Sequence, residues 1–230
     1  TGRGGYCILD FERPVLGSVL IDIEAPEGAI MDLGYSESLG GGRVLTKRFD
    51  YRFADRYILR GGRQRIEKRL HDRGFRFLQL VFRQFNQPIQ IHSLTVSQRT
   101  YPIPVEAAFE CNDPFLNQLW AMCRATIAAC CTDTFIDCPW REQAFWINDA
   151  LVVNVFYLSL TSDRLLPARC LRLGADGQLP NGLIPAVYPS EQKTVFPSMP
   201  AIWAIILSDY YLYTNDLALA QELLPVMDKG

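Results

Sequence analysis

Residues 100–104 have the sequence Thr-Tyr-Pro-Ile-Pro, and this stretch separates two parts of the 230-residue chain that differ in composition. Two prolines in five residues are typical of a linker rather than of a helix or a central strand. The part that ends at residue 104 carries 16 basic and 11 acidic residues, whereas the remainder carries 7 and 14. All four Trp follow the stretch, and both His precede it. We therefore predict two domains, residues 1–104 and residues 105–230.

The composition argues against several classes of protein. The net charge of −2 is unlike the strong basic surplus of a nucleic-acid-binding protein, so we expect no nucleic-acid partner. No apolar run approaches the ~20 residues that cross a bilayer, so we expect no membrane span. Apolar residues make up 49% of the chain, which is enough to form a buried core.

The seven cysteines indicate thiols rather than a disulfide scaffold. Their number is odd, Cys130 and Cys131 are adjacent, and no C-x-x-C pair occurs. The opening residues do not form a signal peptide, and both observations favour a cytoplasmic protein. We expect small, buried cysteine side chains at Cys123, Cys130, Cys131 and Cys138. We predict no metal and no cofactor, because the chain has no Walker A loop and no histidine after residue 92.

The part before residue 100 has the pattern of an antiparallel β-sandwich. Val19, Ile21 and Ile23 alternate with other residues, and the alternation resumes over residues 29–35 after a Pro-Glu-Gly turn. Further short runs of this kind are separated by glycine pairs. The arginine-rich residues 63–69 are interpreted as one solvated sheet face, and a polyanion site is the alternative.

The part after residue 104 has the pattern of helices. Asp113 followed by Pro114 predicts a helix start, because the acid caps and the proline fits the first turn. Pro139 is predicted to open a second helix that continues past Ala150. Apolar spacing predicts three more helices near residues 165–173, 199–213 and 215–227. We therefore expect five helices.

One segment, residues 137–149, combines acids with tryptophan. On a helix that starts at Pro139, Glu142, Trp146 and Asp149 would share one face at positions i, i+4 and i+7. Asp137 and Arg141 would lie at the start of that helix. Sugars fit such a place, because their C–H faces pack on tryptophan while carboxylates and arginine bind their hydroxyls. Glycoside cleavage also needs two carboxyl groups, one of them protonated.

The same residues also fit a plain helix N-terminus. Asp137 would then cap the helix, Glu142 would favour the helix dipole, and Trp146 would belong to the core. Spacing alone does not decide between the two interpretations.

A resemblance to a known family favours the sugar site. The stretch Asp137-Cys138-Pro139-Trp140-Arg141-Glu142, followed by Trp146 and Asp149, resembles the signature of bacterial α-L-rhamnosidases, family 78 of the glycoside hydrolases. Residues 109–120, 176–185 and 210–216 are similar to that family's other markers in its helical domain. Residues 57–62 and 71–76 are similar to the preceding sandwich. The resemblance implies a jelly-roll-like β-sandwich followed by the first helices of an (α/α)6 toroid.

The resemblance also implies roles for residues. It implies an inverting hydrolase of terminal α-L-rhamnose with Glu142 as general acid and Trp146 as the apolar wall. Asp137, Arg141 and Asp149 would hold the sugar hydroxyls. The general base would lie beyond Gly230, so we expect these 230 residues to be inactive alone.

The resemblance leaves alternatives open. Ile147-Asn148 stands where the family usually has Thr-Gly, and Ser198-Met199-Pro200 replaces its usual Trp or Asp, so a related sugar is an alternative substrate. A non-catalytic carbohydrate-binding or scaffold relative is the main alternative function, and a lyase or phosphorylase is a weaker one. The expected partner is a rhamnosylated glycoside or polysaccharide, and the resemblance also allows a homo-oligomer.

Overall fold

The computed structural model describes residues 4–191 and 194–229. These residues form two compact units. The first contains the described residues up to Arg99 together with Pro139–Arg141, and the second contains Thr100–Cys138 and the described residues from Glu142 onward. Each unit is described in turn.

The first unit is an antiparallel β-sandwich, which confirms the predicted fold class for this part of the chain. Within the described residues its strands are β1 (Gly5–Ala25), β2 (Ile30–Ser36), β3 (Leu39–Gly40), β4 (Arg43–Val44), β5 (Lys47–Arg48), β6 (Tyr51–Arg52), β7 (Ala54–Ile58), β8 (Gly62–Glu67), β9 (Arg73–Arg83) and β10 (Gln90–Gln98). The main sheet has the order β10-β1-β9-β2-β7, with β8 also paired to β1.

The long strand β1 changes partners along its length. Its first part pairs with β9 as far as Gly17, and its later part pairs with β10 from Gly17 and with β8 from Leu20. The core lies where the alternation predicted it. Several residues that the alternation assigned to the inward face are buried in the structure, namely Ile21, Ile23, Met31, Leu33 and Tyr35. The period-2 pattern therefore identified the inward face of β1 and β2 correctly.

The arginines of the sandwich pair with aspartates. Arg63 contacts Asp22 at 2.7 Å, and Arg56 contacts Asp32 at 2.7 Å. Both arginine side chains are 61% exposed. This geometry supports the solvated face rather than a polyanion site, because these guanidinium groups already have carboxylate partners.

The second unit is helical. Its helices within the described residues are α1 (Pro114–Ala129), α2 (Ile147–Leu160), α3 (Leu165–Asp176), α4 (Met199–Thr214) and α5 (Leu217–Lys229). The predicted start of α1 is confirmed, since the Asp113 carboxylate accepts a hydrogen bond from the Phe115 N–H at 2.8 Å. Helix α4 packs against α2, α3 and α5. Its Trp203 is buried and donates its indole N–H to the Leu171 carbonyl at 3.0 Å.

Two helix–helix corners are built in the same way. At the end of α2, Tyr157 donates its hydroxyl proton to Asp163 at 2.6 Å. At the end of α4, Tyr210 donates to Asp216 at 2.8 Å. In each corner a threonine hydroxyl two residues before the aspartate accepts that aspartate's N–H. The repeated pattern Tyr-x3-Thr-x-Asp thus forms two equivalent turns of a helical-hairpin fold.

The predicted helix from Pro139 past Ala150 is wrong at its start. Residues 139–142 form a turn, Gln143 has a left-handed φ of 52°, and helix α2 begins only at Ile147. The physical reason is that Pro139–Arg141 belong to the compact unit of the sandwich, and Trp140 is part of the core of that unit. Trp140 is 7% exposed and packs against Phe53 of the first unit, with ring centroids 4.6 Å apart.

Candidate active site

Asp137 closes a short loop, which we call the acidic loop (residues 137–144). Its Oδ1 accepts a hydrogen bond from the Ala144 N–H at 3.0 Å, and its own N–H donates to the Ala144 carbonyl at 3.0 Å. Burial raises the pKa of Asp137, the nearby Glu142 charge adds to this, and the Ala144 N–H opposes it. The loop therefore holds a carboxyl group in a setting that favours a proton.

Glu142 lies on the same loop and comes close to Asp137. An oxygen of the Glu142 carboxyl group and an oxygen of the Asp137 carboxyl group lie within 4.8 Å of each other. Both side chains are half-buried. Glu142 and Asp149 do not share a helix face, because Glu142 precedes helix α2, and the predicted i, i+4, i+7 arrangement is therefore wrong.

Cys138 lies between the two carboxyl groups. Its Sγ is 3.1 Å from Asp137 Oδ2 and 3.2 Å from Glu142 Oε2. We predicted Cys138 and Cys123 as buried side chains, and both predictions are wrong, since Cys138 is half-buried and Cys123 is exposed. Cys130 and Cys131 are buried as expected. In the sequence, Cys138 is marked only by its place directly after Asp137 in the signature.

Arg141 belongs to the compact unit of the sandwich. Burial raises the pKa of Glu37 in that unit, and the positive charges of Arg141 and Arg48 oppose the rise. Arg141 itself is half-buried. The charge of Arg141 therefore acts on a sandwich carboxyl group, an electrostatic interaction that sequence reasoning did not find.

Trp146 and Asp149 lie at the start of helix α2. Trp146 occupies the N-cap position, forms an isolated bridge with Val187, and packs its half-buried ring against the helical core. Asp149 is a half-buried acid in the first turn, where a negative charge is favourable. Ile147 between them is fully buried, so this departure from the family pattern is a core side chain.

Asp137, Cys138 and Glu142 are also the three residues that could jointly ligate a metal ion within the part of the chain that the structure describes. Two carboxylates and one thiol are possible ligands for zinc. The Cys138 Sγ lies at hydrogen-bond distance from an oxygen of each carboxyl group.

Both parts of the chain match domain models of one known family. Residues 105–229 match the bacterial α-L-rhamnosidase six-hairpin glycosidase domain, and residues 2–97 match the bacterial α-L-rhamnosidase concanavalin-like domain. The chain belongs to the bacterial α-L-rhamnosidase family. The resemblance predicted from the signature and its surrounding markers is thus confirmed.

Solved structures of this family are similar in fold. The GH78 rhamnosidase of Bacillus sp. GL1 is 30% identical with a TM-score of 0.89, and the match covers 96% of this chain and 23% of that one. The rhamnosidase of Klebsiella oxytoca with rhamnose bound is 19% identical with a TM-score of 0.74, covering 98% and 47%. The Streptomyces avermitilis α-L-rhamnosidase complexed with L-rhamnose is 21% identical with a TM-score of 0.78, covering 96% and 22%.

The chain thus spans less than half the length of these α-L-rhamnosidases. A search of curated proteins finds no match. Among the described residues, no helix is both long enough and apolar enough to cross a bilayer.

Proposed function

We propose that the full-length protein containing this chain is a glycoside hydrolase that removes terminal α-L-rhamnose with inversion, and that Glu142 is its general acid. The choice of Glu142 follows from its place in the family signature, and one observation of geometry supports an acid in this loop: the Asp137 and Glu142 carboxyl groups lie within 4.8 Å of each other. Two carboxyl groups this close do not ionise independently, so one of them keeps a proton more readily. A carboxyl group that keeps its proton is what departure of the leaving group requires.

Asp137 is too close to Glu142 to serve as the general base of this reaction. Inverting glycosidases separate their two catalytic carboxyl groups by ~6.5–9.5 Å so that a water molecule fits between them. We therefore propose that the base comes from outside this chain, and that Asp137 binds sugar hydroxyl groups instead. Arg141 and Asp149 would bind further hydroxyls, and the half-buried ring of Trp146 would be the apolar wall.

Replacing Glu142 tests the general acid. In the full-length protein, Glu142→Gln should lower kcat/KM on a rhamnoside with a poor leaving group by ~10²-fold or more, the usual contribution of general acid catalysis. Glu222→Gln is the matched control, because Glu222 lies in α5 and pairs with Arg172 at 2.7 Å. A loss of less than about tenfold in Glu142→Gln would reject the assignment.

An activity assay of the wild-type full-length protein distinguishes a hydrolase from a non-catalytic relative. Release of rhamnose from an aryl α-L-rhamnoside is the expected result. If no rhamnose is released and calorimetry still detects rhamnose binding, the carbohydrate-binding alternative is favoured.

The stereochemistry of the product tests inversion. Proton NMR of the early reaction mixture should show β-L-rhamnose first, followed by slow mutarotation. The α anomer as first product would instead indicate a retaining mechanism, for which carboxyl groups ~5–5.5 Å apart are typical.

We also propose that the protein works in the cytoplasm. All seven cysteines lie in the described part of the chain, and each is a thiol outside any disulfide. Thiols of this number are typical of a reducing compartment. Fractionation of the native host should place the protein with cytoplasmic markers, and recovery from the medium would reject this proposal.

A further inference from the structure

A cleft, which we call the sheet cleft, opens on the outward face of strands β2, β7 and β9. Its volume is about 410 Å³, and small-molecule sites typically have ~300–1,000 Å³. The described residues that line it lie between Asp32 and Val81 in the chain. The sheet cleft therefore belongs to the sandwich, and the acidic loop is not part of it.

Small residues shape the inside of the sheet cleft. The strand register places Gly34 of β2 between Ala54 of β7 and Gln79 of β9, so the middle of this row carries no side chain. A Cβ atom on Gly34 would lie 2.6 Å from Cγ2 of Thr46, which is too close for any residue other than glycine. Gly34 thus lets Thr46 form one wall of the cleft, while Ala54 and Val81 contribute an apolar floor.

Gln79 presents a hydrogen-bond donor to the sheet cleft. Its Oε1 accepts hydrogen bonds from Arg43 Nε at 2.7 Å and from the Val44 N–H at 3.4 Å, which identifies the other atom as the NH2 group. Among the described residues Nε2 has no hydrogen-bond partner, although Gln79 is only 6% exposed. Nε2 is also not one of the enclosed unpaired atoms, so it faces open space, and the sheet cleft is the space that Gln79 lines. A mostly buried amide that keeps a donor unpaired calls for an explanation.

Acceptors lie beside this donor. Asp32 Oδ2 accepts from both Arg56 and Arg83, whereas Oδ1 accepts only Arg56 Nε, at 2.7 Å. The Arg56 hydrogen bonds lower the pKa of Asp32, and each oxygen of an ionised carboxylate can accept two hydrogen bonds. Oδ1 can therefore accept one more. The Thr46 hydroxyl, which has no partner in the part of the chain that the structure describes, can both donate and accept.

The charged groups that line the sheet cleft already have partners of opposite charge. Asp32 pairs with Arg56 at 2.7 Å. Asp55, which also lines the cleft, pairs with Arg73 at 2.7 Å and with Lys68 at 2.6 Å. An anionic ligand would have to compete with these carboxylates for their cations, so the cleft favours a neutral ligand.

We infer that the sheet cleft binds one unit of a neutral saccharide. Hydroxyl groups donate and accept hydrogen bonds, so a sugar matches an amide donor, a carboxylate acceptor and a threonine hydroxyl in one cleft. The C–H groups of the sugar ring pack against the floor of Ala54 and Val81. The inference goes beyond the proposed function, because it concerns a second sugar site in the sandwich and does not depend on hydrolysis.

The test is a saturation-transfer NMR titration of the full-length protein with methyl β-D-glucoside, a neutral sugar that the proposed hydrolysis does not use. We expect a millimolar Kd, as for a small ligand in an open cleft. Ala54→Phe places a ring in the cleft and should abolish binding. Ile58→Phe adds the same ring to β7 at a position that is 73% exposed and outside the cleft lining. It is the matched control and should leave Kd unchanged.

Methyl α-L-rhamnoside is the second probe. The proposed catalytic site would bind it too, so the readout is the binding that Ala54→Phe removes and Ile58→Phe retains. If neither probe shows such binding, the inference is wrong. If wild type releases no rhamnose from an aryl rhamnoside while the sheet cleft binds either probe, the proposed function fails and the inference stands.

Two smaller changes decide the matter if Ala54→Phe does not fold. Thr46→Val keeps the size of the side chain and removes the hydroxyl. Gln79→Glu keeps the oxygen that accepts from Arg43 and Val44 and removes the Nε2 donor. Each should raise Kd roughly two- to tenfold, the effect of one hydrogen bond. Unchanged Kd values in both variants would overturn the inference.

The charge of the ligand is tested with sodium D-glucuronate, which has the same ring with a carboxylate. It should bind more weakly than the glucoside, because Asp32 and Asp55 already occupy the cations of the cleft. Tighter binding of glucuronate that Ala54→Phe removes would overturn the assignment to a neutral saccharide and indicate an anion site instead.

Discussion

In the sandwich, carboxylates lie against arginines, whereas in the acidic loop two carboxyl groups lie against one thiol. Asp22 and Asp32 accept hydrogen bonds from Arg63 and Arg56, and these bonds lower the pKa of each aspartate. Burial instead raises the pKa of Asp137. The comparison teaches that the surroundings of a carboxyl group determine its use, because a guanidinium partner favours the ionised form whereas burial favours the protonated form.

Among the variants that compare these two regions, replacing Asp137 should produce the largest effect on activity. Asp137→Asn keeps an oxygen that can accept the Ala144 N–H but removes the charge, so kcat/KM of the full-length protein should fall on the order of 10²-fold, as when a preorganised polar group is lost. The free energy of unfolding should stay equal or rise, because a partly buried charge is costly.

Asp22→Asn is the control for Asp137→Asn, because it removes an arginine-paired carboxylate from the sandwich. It should leave kcat/KM unchanged. Equal activity losses in the two variants would contradict the distinction between the two kinds of carboxylate.

Replacing Asp55 should produce the opposite pattern. Asp55 contacts Arg73 at 2.7 Å and Lys68 at 2.6 Å, and the side chains of Asp55 and Arg73 are only 13% exposed. Asp55→Asn leaves two poorly solvated cations without their anion, so the free energy of unfolding should fall by about 2–4 kcal/mol. Urea unfolding measures this change. The activity of the folded full-length protein should change little, and a large loss of activity at unchanged stability would contradict the comparison.

The two regions differ in how far the sequence predicts them. The alternation of apolar residues correctly predicted the buried face of β2, because every second side chain of a strand points to the same face of the sheet. The cap at Asp113 fixed the start of α1, because its partner is the N–H of Phe115, two residues away. Local signals are sufficient where the decisive contacts are local.

The acidic loop could not be predicted in this way. Its helical spacing was accidental, since Trp140 packs on Phe53, which lies 87 residues earlier in the chain. The sequence did identify Asp137 and Glu142 as neighbours in a signature. It did not identify the thiol between them, because the contact of Cys138 depends on the turn at residues 139–142.

The two regions should also differ in how they affect the stability of the fold at low pH. Burial acts to raise the pKa of Asp55, but the hydrogen bonds from Arg73 and Lys68 outweigh it, and the net result is a lowered pKa. A carboxyl group with a lowered folded pKa stabilises the fold above the unfolded value of ~3.9 and loses that contribution as the pH falls through the folded value. Stability of the chain should therefore decrease below about pH 4.

The Asp55→Asn variant is the control for this pH dependence. Its stability should fall less steeply than that of wild type over the same range, as measured by urea unfolding at successive pH values. The pKa of Asp137 is raised rather than lowered, so this residue does not contribute to the loss of stability at low pH. The free energy of unfolding of Asp137→Asn should therefore fall with decreasing pH as steeply as that of wild type. A less steep fall in Asp137→Asn would indicate that the loss of stability in acid arises in the acidic loop and not in the sandwich.

The helix–helix corners provide a third kind of carboxylate, held by a tyrosine hydroxyl. Tyr157 is fully buried and donates to Asp163 at 2.6 Å, and burial followed by this hydrogen bond raises the pKa of Tyr157. Tyr157→Phe removes one hydrogen bond to a carboxylate that also accepts from Tyr101 at 3.2 Å, so the loss of stability should be only about 1–2 kcal/mol. Thermal unfolding measures it, with Tyr213→Phe, whose ring is 56% exposed, as the neutral control.

Because Asp163 keeps a second donor, activity of the full-length protein should be unchanged, and an activity loss as large as that of Asp137→Asn would place this corner among the functional carboxylates.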